Sequence, residues 1–407
     1  MSYLSGQRKF LPSVWGGAGW LGLAALLLMA SPAARGAGPT LQPTVVWVPE
    51  EWHTGGSYTA IQAGPDGRVY LGTTFYKGFA RLVALPPGGR EFQLIADMGA
   101  ATGDRTLGPD AQAKIHTKPA VAPDGRVYFG TKSGEPAEKA AAGTYPGGHF
   151  LVYDPQTGRV TDLGIPRPRQ SILAVGVDPR RSIAYAFTDP EAHLITYDAR
   201  SRSFADRGLL APVPRRSRYL VVLANGDVYH HAGGDAFIRF SAASGRMERF
   251  LLAFAGQGSY EVPYALTAAT DGRRFHGVGE ESGQVYTFTP AEQNVAVQFH
   301  GAAIPDGFTP PAVHYAMTAA PDGNAYYTGV FRGGPEGSLF LLRLNVRSGR
   351  PEIVGQVGSL PPPPFSLRHR PARRLMVQGI TAGPDGTIYV MLAYPLRVLV
   401  FLRIAPP

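Results

Sequence analysis

A short turn motif recurs along the chain, and its spacing constrains the fold more than any other feature. The clearest copies are Ala-Gly-Pro-Asp-Gly-Arg-Val-Tyr at residues 63–70 and Ala-Pro-Asp-Gly-Arg-Val-Tyr at 122–128. Asp-Gly between two apolar stretches predicts a tight hairpin, because glycine readily takes the positive φ of such turns. The aromatic residue that ends the motif marks seven copies, at Tyr70, Tyr128, Tyr185, Tyr229, Phe275, Tyr326 and Tyr389.

The repeats have the length of one small antiparallel sheet. Successive markers lie 44 to 63 residues apart, which is close to the length of a four-stranded propeller blade. A third apolar run follows the motif, as at 150–154, and a turn and a fourth strand come next, as at 157–164. We therefore predict an all-β fold, a seven-bladed β-propeller of four-stranded antiparallel blades over residues 38–407.

The last repeat lacks a fourth strand of its own. The run Thr-Val-Val-Trp-Val at residues 44–48 is the unassigned strand that would complete it beside 398–402. Such closure protects a sheet edge that would otherwise be exposed.

Residues 1–37 have the pattern of an export signal. Arg8 and Lys9 precede an apolar run from Leu21 to Ala30, and small residues follow as far as Ala37. The alternative is a membrane anchor, but the run is well short of the roughly 20 residues that a spanning helix needs. We expect cleavage, a periplasmic or secreted mature protein, and no membrane association afterwards.

Charge and cysteine content narrow the chemistry. The chain has no cysteine, which excludes disulfides, thiolate metal sites and cysteine catalysis. Its formal charge of +9 includes three basic residues in the signal, so the mature chain carries +6. This excess would favour a polyanionic ligand, or it reflects only an arginine-rich composition. The sequence has no basic stretch interleaved with aromatic residues, so we expect no nucleic-acid binding. We expect a monomer without a cofactor.

Strand order in a propeller places the residues before each first strand, and those after each second strand, at one mouth of the central channel. Counting back from each turn aspartate or its equivalent gives a predicted ring of Tyr58, His116, Gln170, Arg218, Tyr264, His314 and Gln378. The second strands and the loops after them add Lys132, Asp189, His230, His231, Arg332, His149 and His193.

Six of the ten histidines map to this mouth, and such clustering is typical of a polar binding or catalytic site. A histidine or tyrosine beside a turn also often serves only the loop backbone. His230 and His231, with His314 as a third ligand, would form a metal site only if the adjacent pair lay in a loop. Adjacent residues on a strand point to opposite faces, so we predict no metal site.

Part of the chain resembles a known family. Lys-Ile-His-Thr-Lys at 114–118, Asp-Gly-Arg-Val-Tyr-Phe-Gly-Thr at 124–131 and Tyr-Pro-Gly-Gly-His at 145–149 resemble the seven-bladed propeller polysaccharide lyases that cleave ulvan. The resemblance covers roughly residues 112–200. It implies a catalytic His116 and a second histidine where this chain has Lys132, which is a departure. Tyr185, Tyr219 and Arg218 are candidates for the family's tyrosine and arginine by location only.

Two functions of different classes remain open. In a lyase acting on an acidic polysaccharide or oligosaccharide, Arg218 or Arg332 would neutralise the uronate carboxylate and His116 would remove the adjacent proton. A tyrosine (Tyr185, Tyr219 or Tyr264) would protonate the departing oxygen. The alternative is a non-catalytic propeller that binds a glycan, peptide or partner protein on the same face, since fold alone favours neither function. The substrate-binding candidates are His149, His193, His230, His231, Tyr264, His314 and Arg332.

Overall fold

The computed structural model describes most of the chain after the predicted signal. The described residues are 38–76, 78–211, 218–255, 260–279, 282–313, 316–332, 338–361, 376–393 and 399–406. The chain divides into two units, residues 1–34 and 35–407, and the first lies outside the described residues. The export signal at 1–37 lies outside them too and stays a prediction. Within the described ranges, every helix is too short or too polar to cross a membrane.

Strands form nearly all of the regular structure, and the first three sheets follow chain order. Two short strands, β1 (Thr40–Leu41) and β2 (Thr44–Trp47), precede them and join sheets formed later in the chain. In each of the three sheets, consecutive strands pair antiparallel. The first sheet contains β3 (Ile61–Ala63), β4 (Val69–Gly72), β5 (Arg81–Leu85) and β6 (Gln93–Asp97). The second contains β7 (Ala120–Val121), β8 (Val127–Gly130), β9 (Phe150–Asp154) and β10 (Arg159–Gly164). The third contains β11 (Ser171–Val177), β12 (Ile183–Asp189), β13 (Ala192–Asp198) and β14 (Ser203–Ala211).

The fourth sheet has eight strands, built from two four-stranded antiparallel sets. The first set is β15 (Val221–Val222), β16 (Val228–Gly233), β17 (Ala236–Phe240) and β18 (Met247–Ala255). The second is β19 (Pro263–Ala268), β20 (Phe275–Gly279), β21 (Val285–Pro290) and β22 (Asn294–Gly301). The two sets join only where β18 pairs parallel with β22, their outermost strands.

The last two sheets take in the strands from the beginning of the described chain. One contains β23 (Thr309–Val313), β24 (Met317–Ala319), β25 (Ala325–Arg332), β26 (Ser338–Asn345) and β27 (Arg350–Val357), with β1 parallel to β27. The other contains β28 (Met376–Ala382), β29 (Ile388–Ala393), β30 (Leu399–Ile404) and β2. Helical structure in the described residues is limited to α1 (Met98–Thr102), α2 (Ala137–Ala142) and two 3₁₀ turns, Glu50–Trp52 and Gly108–Asp110.

The predicted closure by the N-terminal strand is present. β2 pairs antiparallel with β30, with Val45 opposite Leu402 and Trp47 opposite Val400. Val46 is buried in the adjoining core. The first and last parts of the described chain therefore share one sheet, and β30 has a partner on both sides.

The recurring turn motif has a physical explanation in the structure. All seven marker aromatics are buried, none exposing more than 6% of its surface, so they fill the core between neighbouring sheets. The Tyr70 hydroxyl donates to Asp66 at 3.0 Å, and the Tyr326 hydroxyl donates to Asp322 at 2.8 Å. The turn aspartate thus satisfies the one polar atom that the buried ring carries.

Neighbouring sheets pack through their first strands. β7 contacts β11, and the contacts continue through β15, β19, β24 and β28 to β3. The second sheet joins the first where the Ile115 amide donates to the Thr73 carbonyl at 3.0 Å. A Cβ atom on Gly72 would lie 2.3 Å from Ile115, and one on Gly130 would lie 2.5 Å from Ile172. The glycine that ends β4 and β8 therefore permits the close approach of the next sheet.

Candidate functional site

Basic and aromatic side chains gather where the first strands begin and the second strands end. We name as the cationic cluster the residues Lys114, His116, Lys132 and Arg218, with Asp189, Tyr58 and Tyr76 against them. Lys114 and His116 precede β7, Arg218 precedes β15, and Lys132 follows β8. The cluster thus lies at the end of the sheets opposite the Asp-Gly turns, where the sequence predicts a channel mouth.

The segment before β7 has the alternation of an extended chain. Lys114 forms isolated β-bridges to Thr74 in the first sheet and to Lys132 in the second. Ile115 is fully buried against Gly72. Because side chains alternate along an extended chain, Lys114 and His116 project on the side away from Ile115. A buried isoleucine therefore fixes the direction of both functional side chains.

Hydrogen bonds assign the tautomer of His116. The Thr74 hydroxyl donates to the Gly56 carbonyl at 2.7 Å, so its oxygen accepts from His116 Nε2 at 2.8 Å. The Gly56 carbonyl, which can only accept, lies 3.2 Å from the same nitrogen. Both contacts need the proton on Nε2, which leaves Nδ1 as the acceptor of a neutral imidazole. No described residue forms a hydrogen bond with Nδ1.

His116 is held neutral by its surroundings. Burial is the largest cause that lowers the pKa of its imidazole well below the ordinary value, followed by the charges of Lys132, Arg218 and Lys114. Burial disfavours the charged form, and three nearby cations repel a fourth. The ring also contacts Tyr58 edge-on, with 5.3 Å between ring centres. The cluster therefore carries its positive charge on the lysines and the arginine.

Lys132 forms a buried ion pair across two sheets. Its Nζ lies 2.5 Å from Asp189 Oδ2 at the end of β12, and the two side chains expose only 9% and 7% of their surface. Lys132, which stands where the sequence resemblance implies a second histidine, is thus anchored by a carboxylate. It is held in place beside His116 and does not extend into solvent.

Two cations rest on tyrosine rings. Lys114 Nζ lies 5.1 Å from the centre of the Tyr76 ring and donates to the Glu135 carbonyl at 3.3 Å. Burial, followed by the charge of Lys132, lowers the pKa of Lys114 to about 8. The Arg218 guanidinium lies 5.1 Å from the centre of the Tyr58 ring, so residues that precede β3 and β15 meet. Cation–π contacts hold both basic groups while leaving their N–H donors available to a ligand.

The structure separates Tyr185 from the cationic cluster. It is one of the marker aromatics, and its hydroxyl donates to the Gly226 carbonyl at 3.0 Å, beside a turn at the other end of the sheets. Tyr219 is buried in the core that includes Tyr229 and Phe275. Burial, followed by the neighbouring Tyr264, raises the pKa of Tyr219 above its ordinary value, and the charge of Arg218 acts in the opposite direction. Tyr219 thus lies near both Tyr264 and Arg218, whereas Tyr185 lies at the other end of the sheets.

Two of the predicted substrate-binding histidines pair with carboxylates of their own sheets. His149 Nδ1 lies 2.8 Å from Asp162 Oδ2, and His193 Nδ1 lies 2.8 Å from Asp206 Oδ1. The Arg167 guanidinium bonds Asp206 at 2.8 Å and so extends the second pair. Both contacts join the third and fourth strands of a sheet, so these histidines lie away from the first strands.

The remaining predicted histidines have structural partners. His230 is fully buried, with Nδ1 3.1 Å from the Tyr219 carbonyl. His231 Nε2 lies 2.8 Å from the Tyr260 hydroxyl, and its Nδ1 accepts from the Gly233 amide at 3.0 Å. As far as the structure describes the chain, no three histidine, aspartate or glutamate side chains are grouped to hold a metal ion. His314 and the side chain of Arg332 lie outside the described residues.

The Tyr-Pro-Gly-Gly-His motif has a packing role. The buried Tyr145 hydroxyl donates to Gln112 at 3.0 Å, and Gln112 donates to the Gly147 carbonyl at 3.0 Å. A Cβ atom on Gly148 would lie 2.3 Å from the Thr131 carbonyl oxygen. These contacts account for most of this motif without a ligand.

The sequence predictions missed two members of the cluster, Lys114 and Tyr76. The period of two in Lys114, His116 and Lys118 placed Lys114 on the His116 side of the strand, and this signal was available in the sequence. The partnership of Lys132 with Asp189 joins residues 57 positions apart. It depends on the packing of one sheet on the next, which no local pattern shows.

Comparisons with known proteins define the fold. By sequence the chain matches no protein-family profile and no curated protein. Its structure is similar to the WD40 repeats of RRP9, with a TM-score of 0.57 and 9% identity over 88% of this chain and 97% of that one. YCF48 bound to D1 peptide gives a TM-score of 0.57 and 12% identity over 93% and 100%. The C-terminal WD40 domain of Sif2 gives 0.54 and 12% over 90% and 99%. The chain therefore has a β-propeller fold, and identities this low carry no function over to it.

Proposed function

We propose that this protein is a non-catalytic β-propeller that binds a carboxylate-bearing ligand at the cationic cluster. The observation that supports this most is the convergence of Lys114, Lys132 and Arg218 on one imidazole. Among the described residues, Asp189 forms an ion pair with Lys132 and the Glu135 carboxylate acts on Lys114, so the three cations outnumber the carboxylates near them. Buried or half-buried cations at one site favour an anionic partner, because binding offsets their mutual repulsion.

The proposal includes seven blades. The described strands form six sheets, and the eight-stranded one consists of two antiparallel sets whose hydrogen-bonded strand pairing with each other is limited to β18 and β22. Each set has its own turn motif and its own first strand within the succession of contacting first strands. Counting the two sets separately supports one blade for each of the seven sequence repeats.

The aromatic members of the cluster suit an extended acidic ligand. Tyr76 is 46% exposed beneath Lys114, and Tyr58 lies beneath Arg218. A tyrosine face can pack against a sugar ring or a peptide, and a guanidinium can bind a carboxylate through two hydrogen bonds. One of the similar propellers is bound to a peptide. Acidic peptides and acidic oligosaccharides are therefore the two ligand types to compare.

Calorimetric titration tests the proposal. Tetraglutamate and trigalacturonate are the anionic probes, and tetraglutamine and maltotriose are their neutral counterparts. We expect at least one anionic probe to bind, and Arg218→Ala to weaken it about 10- to 100-fold, because a charge-assisted hydrogen bond contributes about 1.5–3 kcal/mol. The matched control is Arg249→Ala, which removes an exposed arginine from β18 and should leave affinity unchanged. Binding of neither anionic probe, or equal losses in both variants, would contradict the proposal.

A second candidate, β-elimination on a uronate polysaccharide, is supported by one specific observation. His116 is neutral, and its Nδ1 accepts no hydrogen bond from a described residue, which suits a general base beside groups that could neutralise a carboxylate. Turnover would produce an unsaturated uronate with ultraviolet absorbance. His116→Ala should lower that rate about 10²- to 10⁴-fold with little change in affinity. Binding of trigalacturonate without any such product from polygalacturonate would leave the binding function alone.

We also propose that the protein is exported and then cleaved between about residues 33 and 37, as the signal-like segment suggests. N-terminal sequencing of the protein recovered from periplasm or medium tests this. An intact Met1 in the recovered protein would show that the segment is retained.

A further inference from the structure

The cationic cluster is unusual for this chain in using lysine. The sequence has 33 arginines and only six lysines, and three of the six are Lys114, Lys118 and Lys132. Both residue types bind anions, but only an amine readily loses its proton and becomes a nucleophile. A chain that otherwise relies on arginine therefore has primary amines in the cationic cluster.

Lys114 has the surroundings of a reactive amine. Its side chain is almost completely buried and lies against the Tyr76 ring. The backbone of Lys114 forms a β-bridge with that of Lys132. Burial and the charge of Lys132 lower its pKa to about 8. At pH 7.5 about a quarter of such an amine is neutral, against about one part in a thousand for an ordinary lysine.

Lys118 provides an internal comparison. It lies two residues beyond His116, is half-buried, and has a pKa that burial alone lowers to about 8. No neighbouring charge contributes to that change. The two amines therefore match in basicity and differ in that Lys114 has Lys132 and Arg218 beside it.

We propose that Lys114 forms an imine with an anionic carbonyl compound, such as a 2-oxo acid or an aldehyde carboxylate, whose carboxylate is held by Arg218. The Lys114 nitrogen attacks the carbonyl carbon and forms a carbinolamine. The carbonyl oxygen then leaves as water with the two protons that the neutral amine loses, and a C=N bond remains. The step needs no oxidant or reductant. It rests on the proposed function only in that Arg218 holds the anion in both.

Reductive trapping of the full-length mature protein tests this inference. Glyoxylate is the anionic probe, propanal is the neutral probe, cyanoborohydride fixes any imine, and peptide mass spectrometry locates it. At pH 7.5 we expect glyoxylate to label Lys114 about tenfold or more faster than Lys118 and than Lys139, whose side chain is 70% exposed. Propanal should label Lys114 and Lys118 at similar rates. Arg218→Ala should slow labelling of Lys114 by glyoxylate but not by propanal.

Two separate measurements distinguish this inference from the proposed function, namely adduct formation at Lys114 and anion binding by the wild type. Lys114→Arg keeps the positive charge and cannot form an imine, so adduct formation at this position should be lost. Labelling that follows exposure, with Lys139 first, would overturn the inference, and so would preferential labelling of Lys118 by glyoxylate. Tetraglutamate binding by the wild type without any adduct at Lys114 would overturn the imine alone. Adduct formation at Lys114 without binding of either tetraglutamate or trigalacturonate would instead contradict the proposed function.

Discussion

Replacing Lys132 with methionine should destabilise the protein far more than loss of a surface charge. The lysine and Asp189 are 2.5 Å apart, both side chains are more than nine-tenths buried, and they join adjacent sheets. An exposed ion pair contributes about 0–1 kcal/mol, whereas removing one partner of a buried pair costs about 3–5 kcal/mol, because the other charge stays buried and uncompensated. We therefore expect Lys132→Met to lower the free energy of unfolding by about 3 kcal/mol or more.

A double-mutant cycle measured by urea denaturation gives the assay. Asp189→Asn should also destabilise, since it leaves the Lys132 ammonium without its carboxylate. The double variant Lys132→Met/Asp189→Asn should lose less than the sum of the two single losses, because neither charge is left behind. A loss below about 1 kcal/mol in Lys132→Met, or strict additivity in the double variant, would refute the claim that this pair is a buried link between sheets.

Three further outcomes follow from the structure. Burial, followed by the charges of His300 and Arg274, lowers the pKa of His276 to about 4 from 6.5, so the unfolded chain takes up a proton first as pH falls. Stability should drop by up to about 3 kcal/mol between pH 6.5 and 4, and His276→Asn should flatten that dependence in urea titrations. Gly130→Ala should lower the free energy of unfolding by about 1–3 kcal/mol, because the new Cβ would lie 2.5 Å from Ile172. The control Gly143→Ala should change it little, because no atom lies closer than 3.5 Å to the new Cβ. Equal losses of stability in the two variants would contradict the packing argument. Deleting residues 38–50 should lower the melting temperature and promote aggregation, because β30 loses β2 and becomes an exposed sheet edge. Unchanged calorimetric melting would count against closure there.

The repeating part of the fold was predictable because each repeat carries its own signals. The Asp-Gly turns, the aromatic markers and the alternating apolar residues are local features, and each meets the same need in every repeat. The pairing of β2 with β30 was predictable by elimination, since residues 44–48 and the last repeat each lacked a partner. The parallel joining of β18 to β22 involves outer strands of two repeats, and no turn or periodicity signals it.

The site was predictable only as far as strand order determines it. His116, Arg218, Lys132 and Tyr58 were placed at one end by counting from turns, and the structure brings them together. Counting residues from the turns shows at which end of a sheet a loop residue lies, but not whether it lies beside the inner or the outer strands. His149 and His193 therefore lie beside Asp162 and Asp206, which are carboxylates of fourth strands.

Tyr185 was selected by location only, as a candidate for the tyrosine that the resemblance implies, and its position is explained by the repeat itself. It is the marker aromatic of its own repeat and fills the core beside a turn, where its hydroxyl donates to the Gly226 carbonyl. Tyr70 and Tyr326 occupy the same location in other repeats, and their hydroxyls donate to the turn aspartates. A repeat marker is therefore a poor candidate for a catalytic group in this fold.

The most direct test of the account is the protonation state of His116 with and without an anion. Long-range ¹H–¹⁵N NMR of the imidazole, followed as a function of pH, reports both the tautomer and the pKa. The account predicts a neutral ring with the proton on Nε2 at pH 6.5, and a rise in the pKa when a saturating anionic probe offsets Lys114, Lys132 and Arg218. An imidazole that titrates near 6.5 and does not respond to tetraglutamate or trigalacturonate would contradict the convergence of these cations on His116.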